Sequence, residues 1–427
     1  MSSQAHDWRT RNSKKRTLRK YATLHHVTSS QRAFVPGGPL LLDGRVRKTG
    51  GSGGLSLPME IGEWSGIEPV GNVISPPGDS FATRRSAMLR IFTTTTPAPA
   101  PAVSPRPPGA APRFSVMLPT FAPDAKLLTA LRSVLAQALP PAAMQITVVD
   151  DASTPGLTRS LVRTADPDGR VDVVEHEQRL GLAGNWNRAI ALACGELVHL
   201  LHQDDYVRPG FYAAIDRGFR AAPAAGMAFC RSRIVDGAGR PIKASSRLRW
   251  LAGLIPDWLP AIAERQRIQT PAAVVRRSTY ETLGGFRPEL SQTVDWEMWV
   301  RIAAAYPVWY EPRCLAVYRR HSGNETSRLF QSGAVWPDIL RAIEINAACL
   351  PASCRGTVEA SARWHAASAL RTAERLLAHG AIDQAADVVM HVPTLLRLIT
   401  ADAPTSSVQR RLAALQARLS RSGRRAA

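Results

Sequence analysis

The sequence predicts an α/β fold: a mostly parallel sheet flanked by helices, with a disordered N-terminal tail and a helical C-terminal region. Three observations carry that expectation. From Phe114 onward, short apolar runs alternate with amphipathic stretches of helix length, the pattern of βαβ units. Before it, residues 1–112 keep no sustained period of 2 or 3.6 and include Gly50-Gly51-Ser52-Gly53-Gly54. After Ser327 the chain turns rich in Ala and Leu at helical spacing. The expected organisation is a basic tail and linker over 1–112, an α/β domain over 113–328 and a helical region with a basic end over 329–427.

In chain order, the tail closes on a tract, residues 97–112, in which seven of sixteen residues are proline. So dense a proline run favours an extended, semi-rigid linker over a packed core, and the first 110 residues are expected to be dispensable. Met88, just before the tract, offers a second place for the chain to start. Residues 114–118 read as the first strand and 124–138 as a helix; 146–149 follow as the second strand and 157–164 as the second helix. A third strand over 171–174, a helix over 185–194 and a fourth strand over 197–201 complete the pattern. Further on, a helix is expected over 296–305. In the C-terminal region helices are expected over 360–379, 382–392 and 408–419, with Gly380 as a helix stop.

Composition narrows the class. With 427 residues, 45% of them hydrophobic, the chain can bury a large core. No run of eighteen apolar residues occurs, so no membrane-spanning helix is expected. The N-terminus lacks an apolar stretch after its basic residues and does not read as a secretory signal. Five scattered cysteines fit reduced thiols in a cytoplasmic protein better than a disulfide framework or a zinc site. The net charge is +20, but +9 of it lies in residues 1–112 and +5 in residues 401–427. A charge concentrated in tails without interleaved aromatics does not argue for nucleic acid as a partner.

In parallel α/β sheets, ligands gather where strands end at their carboxyl side. After the first strand comes Pro119-Thr120-Phe121, after the second Asp150-Asp151, and after the fourth His202-Gln203-Asp204-Asp205. Acidic pairs that close repel one another and ionise together only beside a cation or strong donors. A divalent metal on a diphosphate supplies the cation, and a ribose or base supplies a donor. The plain alternative is that Asp150 and Asp151 cap the turn that follows them.

These strings resemble family 2 glycosyltransferases of the GT-A (Rossmann-like) fold. The resemblance runs from Leu118-Pro119-Thr120-Phe121 and Val148 to Thr154, through Gly184-Asn185-Trp186-Asn187-Arg188 and His202 to Asp205. It continues with Leu283-Gly284-Gly285-Phe286 and Val294 to Arg301, and ends on Tyr318-Arg319-Arg320-His321. It implies an inverting transfer of sugar from a nucleotide diphosphate-sugar, a UDP-sugar first, to a saccharide or glycolipid hydroxyl in surface polysaccharide synthesis. Asp151 would accept a hydrogen bond from the base beside the backbone of Pro119 and Thr120. Arg179 would add a contact, or be a surface arginine. Asp204 would hold manganese or magnesium on the diphosphate. Where the family's metal motif begins with Asp this chain has His202, which either ligates the metal, bonds ribose or phosphate, or simply packs at a strand end. Asp295 stands at the general-base position and is also suited to cap its helix. Glu297 and Arg301, four apart, read as an ion pair, and Trp296 and Trp299 as core.

Competing readings are weaker. A nucleotidyltransferase needs a Gly-rich basic loop after the first strand, and Pro119 to Ala122 is not one. A relative that binds nucleotide sugar without turnover would also tolerate His202. The last expectation concerns the C-terminal helix. Val408, Leu412, Leu415 and Leu419 share one face among Arg410, Arg411, Arg418 and Arg421, the pattern of a segment meeting an anionic membrane at its inner face. Packing on the domain would bury the same leucines.

Overall fold

A computed structural model describes residues 97–106, 109–321, 335–354, 356–399 and 406–426. The disorder expected of residues 1–96 lies outside the described residues. Every residue of the first strand, β1 (Phe114–Thr120), is buried, because helices cover both faces of the sheet. The strand's pleat splits its side chains. Val116 and Leu118 join the core formed with α1 (Lys126–Leu135), α2 (Leu157–Ala165) and α4 (Phe211–Ala221). Met117 joins the core on the opposite face, with α3 (Gly181–Leu192), α5 (Trp258–Glu264), α6 (Arg277–Leu283) and α7 (Val294–Ala305).

Beside β1 run β2 (Met144–Asp150) and β4 (Leu197–Leu200), and beyond β2 lies β3 (Asp172–Glu175), all parallel. The remaining strands are β5 (Tyr206–Val207), β6 (Met227–Val235), β7 (Pro241–Ala244), β8 (Gly253–Leu254), β9 (Ala273–Arg276) and β10 (Val308–Arg319). The ten-stranded sheet has the order β3-β2-β1-β4-β9-β6-β10-β5, with β7 on β6 and β8 on β10. The expectation of a mostly parallel sheet holds for its first four strands. It holds again for β6 and β10, which are parallel over their length; between them and β4 stands β9, antiparallel to both β4 and β6, so the sheet is mixed. The chain reverses its building direction at β1, placing β2 and β4 on either side of it. That reversal opens a crevice at the strands' carboxyl ends.

Element ends differ from the sequence reading for local reasons. The helix expected over 185–194 begins at Gly181, whose φ of +76° starts it from a left-handed residue. The helix expected over 296–305 begins at Val294, with Thr293 as the flanking residue. In the C-terminal region α8 (Val335–Cys349) precedes α9 (Gly356–Ala378), α10 (Ile382–Arg397) and α11 (Ser406–Ala426). The second of the expected C-terminal helices runs past Pro393 because Leu395, beyond it, is fully buried.

The face of α11 expected to meet a membrane meets protein instead. Leu412 and Leu415 are buried, and Val408 and Leu419 pack on the same core, while Arg411 pairs with Glu374 of α9 at 2.7 Å. Among the described residues no helix is long and apolar enough to cross a membrane.

The proline tract is extended, as its composition dictates, but it is docked rather than free. An extended proline-rich segment leaves its carbonyls without internal partners, and the domain supplies the donors. The Gly285 N–H donates to the Pro101 carbonyl at 2.7 Å, Arg277 Nη2 donates to Ser104 at 3.1 Å, and Arg287 donates to the Ala98 carbonyl. In return Glu281 accepts from the Arg106 N–H at 2.8 Å, and Val103 packs against the core. Arg277 and Arg287 are themselves buried, so losing these acceptors leaves their guanidinium donors short of partners. A chain beginning at Gly109 is therefore expected to melt at least about 5 °C below the full chain in a thermal scan. Coincident melting curves would mean that the docked tract contributes nothing.

Candidate active site

Three strand ends are stitched together by hydrogen bonds. The Asp151 N–H donates to the Thr120 carbonyl at 2.8 Å, joining the end of β2 to that of β1. Gln203, just past β4, both accepts from the Phe121 N–H and donates to the Phe121 carbonyl, each at 2.9 Å. Asn185 of α3 lies beneath, its amide donating to the Val149 carbonyl at 3.1 Å. Ala122 and Ala152, one at each strand-end loop, hold left-handed φ angles of 45° and 57°. Such strain in non-glycine residues persists only where the surroundings over-determine it. Here the Ala122 N–H is tied to Ser153 Oγ at 2.8 Å.

The paired aspartates at β2 divide their work. Asp150 accepts from the Ser153 N–H and hydroxyl at 2.9 and 2.6 Å and from the Thr158 hydroxyl at 2.8 Å, so it closes the following turn. Asp151 turns the other way. Its two carboxylate oxygens accept the N–H groups of Leu180 and Gly181, at 2.6 and 2.9 Å, capping α3 from a strand 30 residues earlier. A carboxylate has about four acceptor positions, so capacity remains beside those two bonds. Arg179 Nε sits 3.8 Å from Asp151 Oδ2 and its guanidinium lies 3.8 Å above the ring of Phe121. Pro119 and Thr120 are buried in the floor, and the Thr120 hydroxyl turns back to the Leu118 carbonyl at 3.1 Å.

At the end of β4, His202, Asp204 and Asp205 bring potential ligand atoms within 4.8 Å of one another. The ring of Trp186 stacks on His202 at 4.9 Å and fixes the imidazole plane. His202 Nδ1 faces Asp205 Oδ2 at 3.3 Å, while its Nε2 is buried without a hydrogen-bond partner. Asp205 Oδ1 accepts from the Arg319 N–H at 2.8 Å. Asp204 Oδ2 lies 3.0 Å from His321 Nε2, and Arg319 Nε donates to the Asp204 carbonyl at 3.1 Å. Burial disfavours the ionised form of Asp204, but the imidazoles of His321 and His202 outweigh it and hold its carboxyl below the ordinary range. Asp205 goes the other way: burial, then the charge of Asp204, raise it. Burial opposes protonation of His202, yet Asp205, Asp204 and Asp295 together raise its pKa. Two carboxylates beside the His202 imidazole form a donor set for a divalent cation, the carboxylates suiting manganese or magnesium and the imidazole suiting them less well.

Asp295 lies in the first turn of α7. Its Oδ2 accepts from the Thr270 hydroxyl at 2.9 Å and its Oδ1 from the Trp296 N–H at 2.7 Å. Burial pushes its carboxyl up to about 6, against the pull of those two donors and of His202. The loop before it is held by Asp338 of α8, whose carboxylate accepts the N–H groups of Ser291, Gln292 and Thr293 at 2.7, 2.9 and 2.8 Å. Trp296 and Trp299 are core residues, each 1% exposed.

Sequence reasoning left several of these contributors without a role. Phe121, Gln203 and His321 all stand inside quoted strings, and Asp338 lies outside them. The signal for His321 was available: an imidazole closing the last string, two residues past the end of β10. For Asp338 no sequence signal exists, since its partners are 45 to 47 residues away.

Comparison with known proteins agrees with this geometry. Residues 115–289 match the description "Glycosyl transferase family 2". The uncharacterized protein MT1568 of Mycobacterium tuberculosis is 31% identical over 231 residues, which is 52% of this chain and 71% of the relative. The O-antigen biosynthesis protein RfbC of Myxococcus xanthus is 27% identical over 196 residues, 45% of this chain but 15% of that protein. Among solved structures, TarS 1-349 of S. aureus superposes with a TM-score of 0.51 at 16% identity, covering 74% of this chain and 92% of that one. The chain belongs to glycosyl transferase family 2, with a GT-A fold. It is a glycosyltransferase.

Because Asp151 caps α3 as well as lining the crevice, Asp151→Ala is expected to lower stability by about 2 kcal/mol in urea unfolding without nucleotide. An unchanged midpoint would show that the two amides find other acceptors.

Proposed function

We propose that this glycosyltransferase moves a sugar, with inversion, from a nucleoside diphosphate sugar to a hydroxyl of a saccharide or glycolipid acceptor. The donor expected first is a UDP-sugar, and the product a surface polysaccharide or glycoconjugate. One observation carries the reading: the Thr270 hydroxyl holds Asp295 at 2.9 Å, and the neighbouring Pro271 carbonyl lies 3.0 Å from His199 Nε2 on β4, the strand that ends in the His202/Asp204/Asp205 cluster. A base and a diphosphate-anchoring cluster thus share one crevice. The name of the O-antigen biosynthesis relative supports the product class. In this reading residues 113–328 form the catalytic domain and 329–427 a helical region that braces it, with the protein on the cytoplasmic side.

The residues divide the reaction as follows. Asp151, Arg179 and the backbone of Pro119 and Thr120 receive the nucleotide. Asp204 and His202 would hold a divalent metal at the diphosphate, with His321 bonded to Asp204 beside them. When bound, manganese or magnesium neutralises the negative charge that grows on the leaving diphosphate. Asp295 takes the proton of the acceptor hydroxyl. The acceptor oxygen forms its bond to the anomeric carbon as the bond to the diphosphate oxygen breaks, and that oxygen leaves with the electron pair. One displacement from the opposite face inverts the centre.

Three measurements test this. In calorimetry Asp204→Ala is expected to abolish metal-dependent binding of the nucleoside diphosphate, and His202→Ala to weaken it less. Equal affinity with chelator and with manganese would remove the metal from the proposal. Asp295→Asn is expected to keep donor affinity and to lose at least about a hundredfold in turnover; turnover within about threefold of the parent would exclude Asp295 as the base.

The pH dependence follows from the same group. A base acts when ionised, so turnover is present above the pKa of Asp295 and falls as pH drops through about 6. The Thr270 hydroxyl favours the ionised carboxylate, so Thr270→Val is expected to move that limb to higher pH. A limb that stays in place in a pH–rate profile would separate it from Asp295.

A further inference from the structure

One stretch of the surface is built to hold apolar side chains in water. Between β7 and β8 the chain carries Arg247-Leu248-Arg249-Trp250-Leu251-Ala252, and Trp250 and Leu251 are 80% and 76% exposed. Leu254 on β8, three residues beyond Leu251, is 42% exposed. Scattered apolar residues are ordinary on a surface; a contiguous set with a tryptophan at its tip is not.

This exposure is anchored on both sides. Before the tip, Arg231 Nη2 donates to the Ser245 carbonyl at 2.8 Å, and the Leu248 N–H donates to the Tyr310 hydroxyl at 3.1 Å. After it, the Ile255 N–H donates to the Val308 carbonyl at 3.0 Å, and Arg249 donates to the Leu254 carbonyl. Arg247 lies 4.2 Å from the Trp250 ring centroid. A loop tied this way cannot fold its tip back onto the protein without breaking those bonds.

Charge identifies the occupant. The loop over residues 245–252 carries Arg247 and Arg249 and no acidic residue, whereas Arg240, before β7, is paired with Asp236. An exposed tryptophan and leucine ringed by arginines match the boundary of an anionic bilayer, where an amphipathic ring settles at headgroup depth and basic side chains meet lipid phosphates. We infer that the loop between β7 and β8, led by Trp250 and Leu251, is the surface by which this protein seats on an anionic membrane. The inference rests on the exposed loop and stands whether or not Asp295 is the base.

The test uses the full chain and two vesicle compositions: phosphatidylcholine alone, and phosphatidylcholine mixed with phosphatidylglycerol. Flotation is expected with the mixed vesicles only, and to fall with added salt. Trp250→Ser combined with Leu251→Ser is expected to cut the floated fraction at least about tenfold with an unchanged melting temperature. Trp250→Phe keeps the apolar tip. It is expected to float like the parent but to lose the quenching of tryptophan fluorescence that shallow brominated lipids produce in the parent. Equal flotation of the double variant would assign membrane binding to the basic tails and overturn the inference. Quenching that is absent, or unchanged in Trp250→Phe, would overturn it too. So would a parent dimer in sedimentation that the double variant dissolves, since the loop would then join two copies.

Discussion

Glu297 is fully buried and sits between two guanidiniums: Arg301 at 2.8 and 2.9 Å and Arg287 at 3.1 Å. Burying three charges is expensive, and a set of this kind is tolerated only when every donor and acceptor is satisfied. Here that satisfaction is what ties the domain together. Arg301 Nη2 also reaches the Gly285 carbonyl at 2.8 Å, and Arg287 reaches the proline tract through Ala98. A single carboxylate on α7 therefore fixes the turn after α6 and the docked segment before β1. The turn itself admits only glycine at its second position, because a Cβ on Gly285 would come within 2.3 Å of Asn187 Oδ1. Asn187 in turn clamps Phe286, donating to its carbonyl and accepting its N–H at 2.8 and 2.7 Å.

This network explains what the quoted strings do. Most of their residues position others. Asn185 holds the ends of β1 and β2, Trp186 holds the plane of His202, and Asn187 and the two glycines hold the entrance to α7. The groups proposed for chemistry are fewer: Asp151, Arg179, Asp204, His202 and Asp295 from the sequence, with His321 bonded to Asp204. Structural and chemical roles also coincide. Asp151 caps a helix and lines the crevice, and the expectation that adjacent aspartates would close a turn is met by Asp150 alone.

The legible part of the fold is the part encoded over short distances. The four parallel strands and their intervening helices stand out because apolar runs and helical periods are local, and the strand ends follow from topology. What stayed hidden depends on partners far apart in sequence. The start of α3 is set by Asp151, 30 residues upstream. The antiparallel turn of the sheet at β9 follows from which strand β9 pairs with, a choice no local pattern records. The proline tract was read as extended but not as docked, since its acceptors are backbone carbonyls and its donors are arginines more than 170 residues away. The stripe on α11 was correctly drawn as one apolar face, but a face does not name its partner. The helices α9 and α10 took it, leaving the exposed apolar residues to the loop before β8.

The histidine at position 202 changes the electrostatics of the crevice more than its composition suggests. A carboxylate there would put three acidic groups at one strand end, and repulsion would drive one of them to stay protonated. With an imidazole the cluster balances internally: His202 faces Asp205, and His321 faces Asp204. The cluster therefore forms without a cation, and a cation that bound there would have to displace its protons. Metal affinity in such a site rises as those protons become easier to remove. The same protons shape Asp295, because a positive His202 steadies its carboxylate while burial opposes it. Asp295 and the His202/Asp204/Asp205 cluster are thus coupled through one imidazole, whose ring the protein holds in place by stacking it on Trp186.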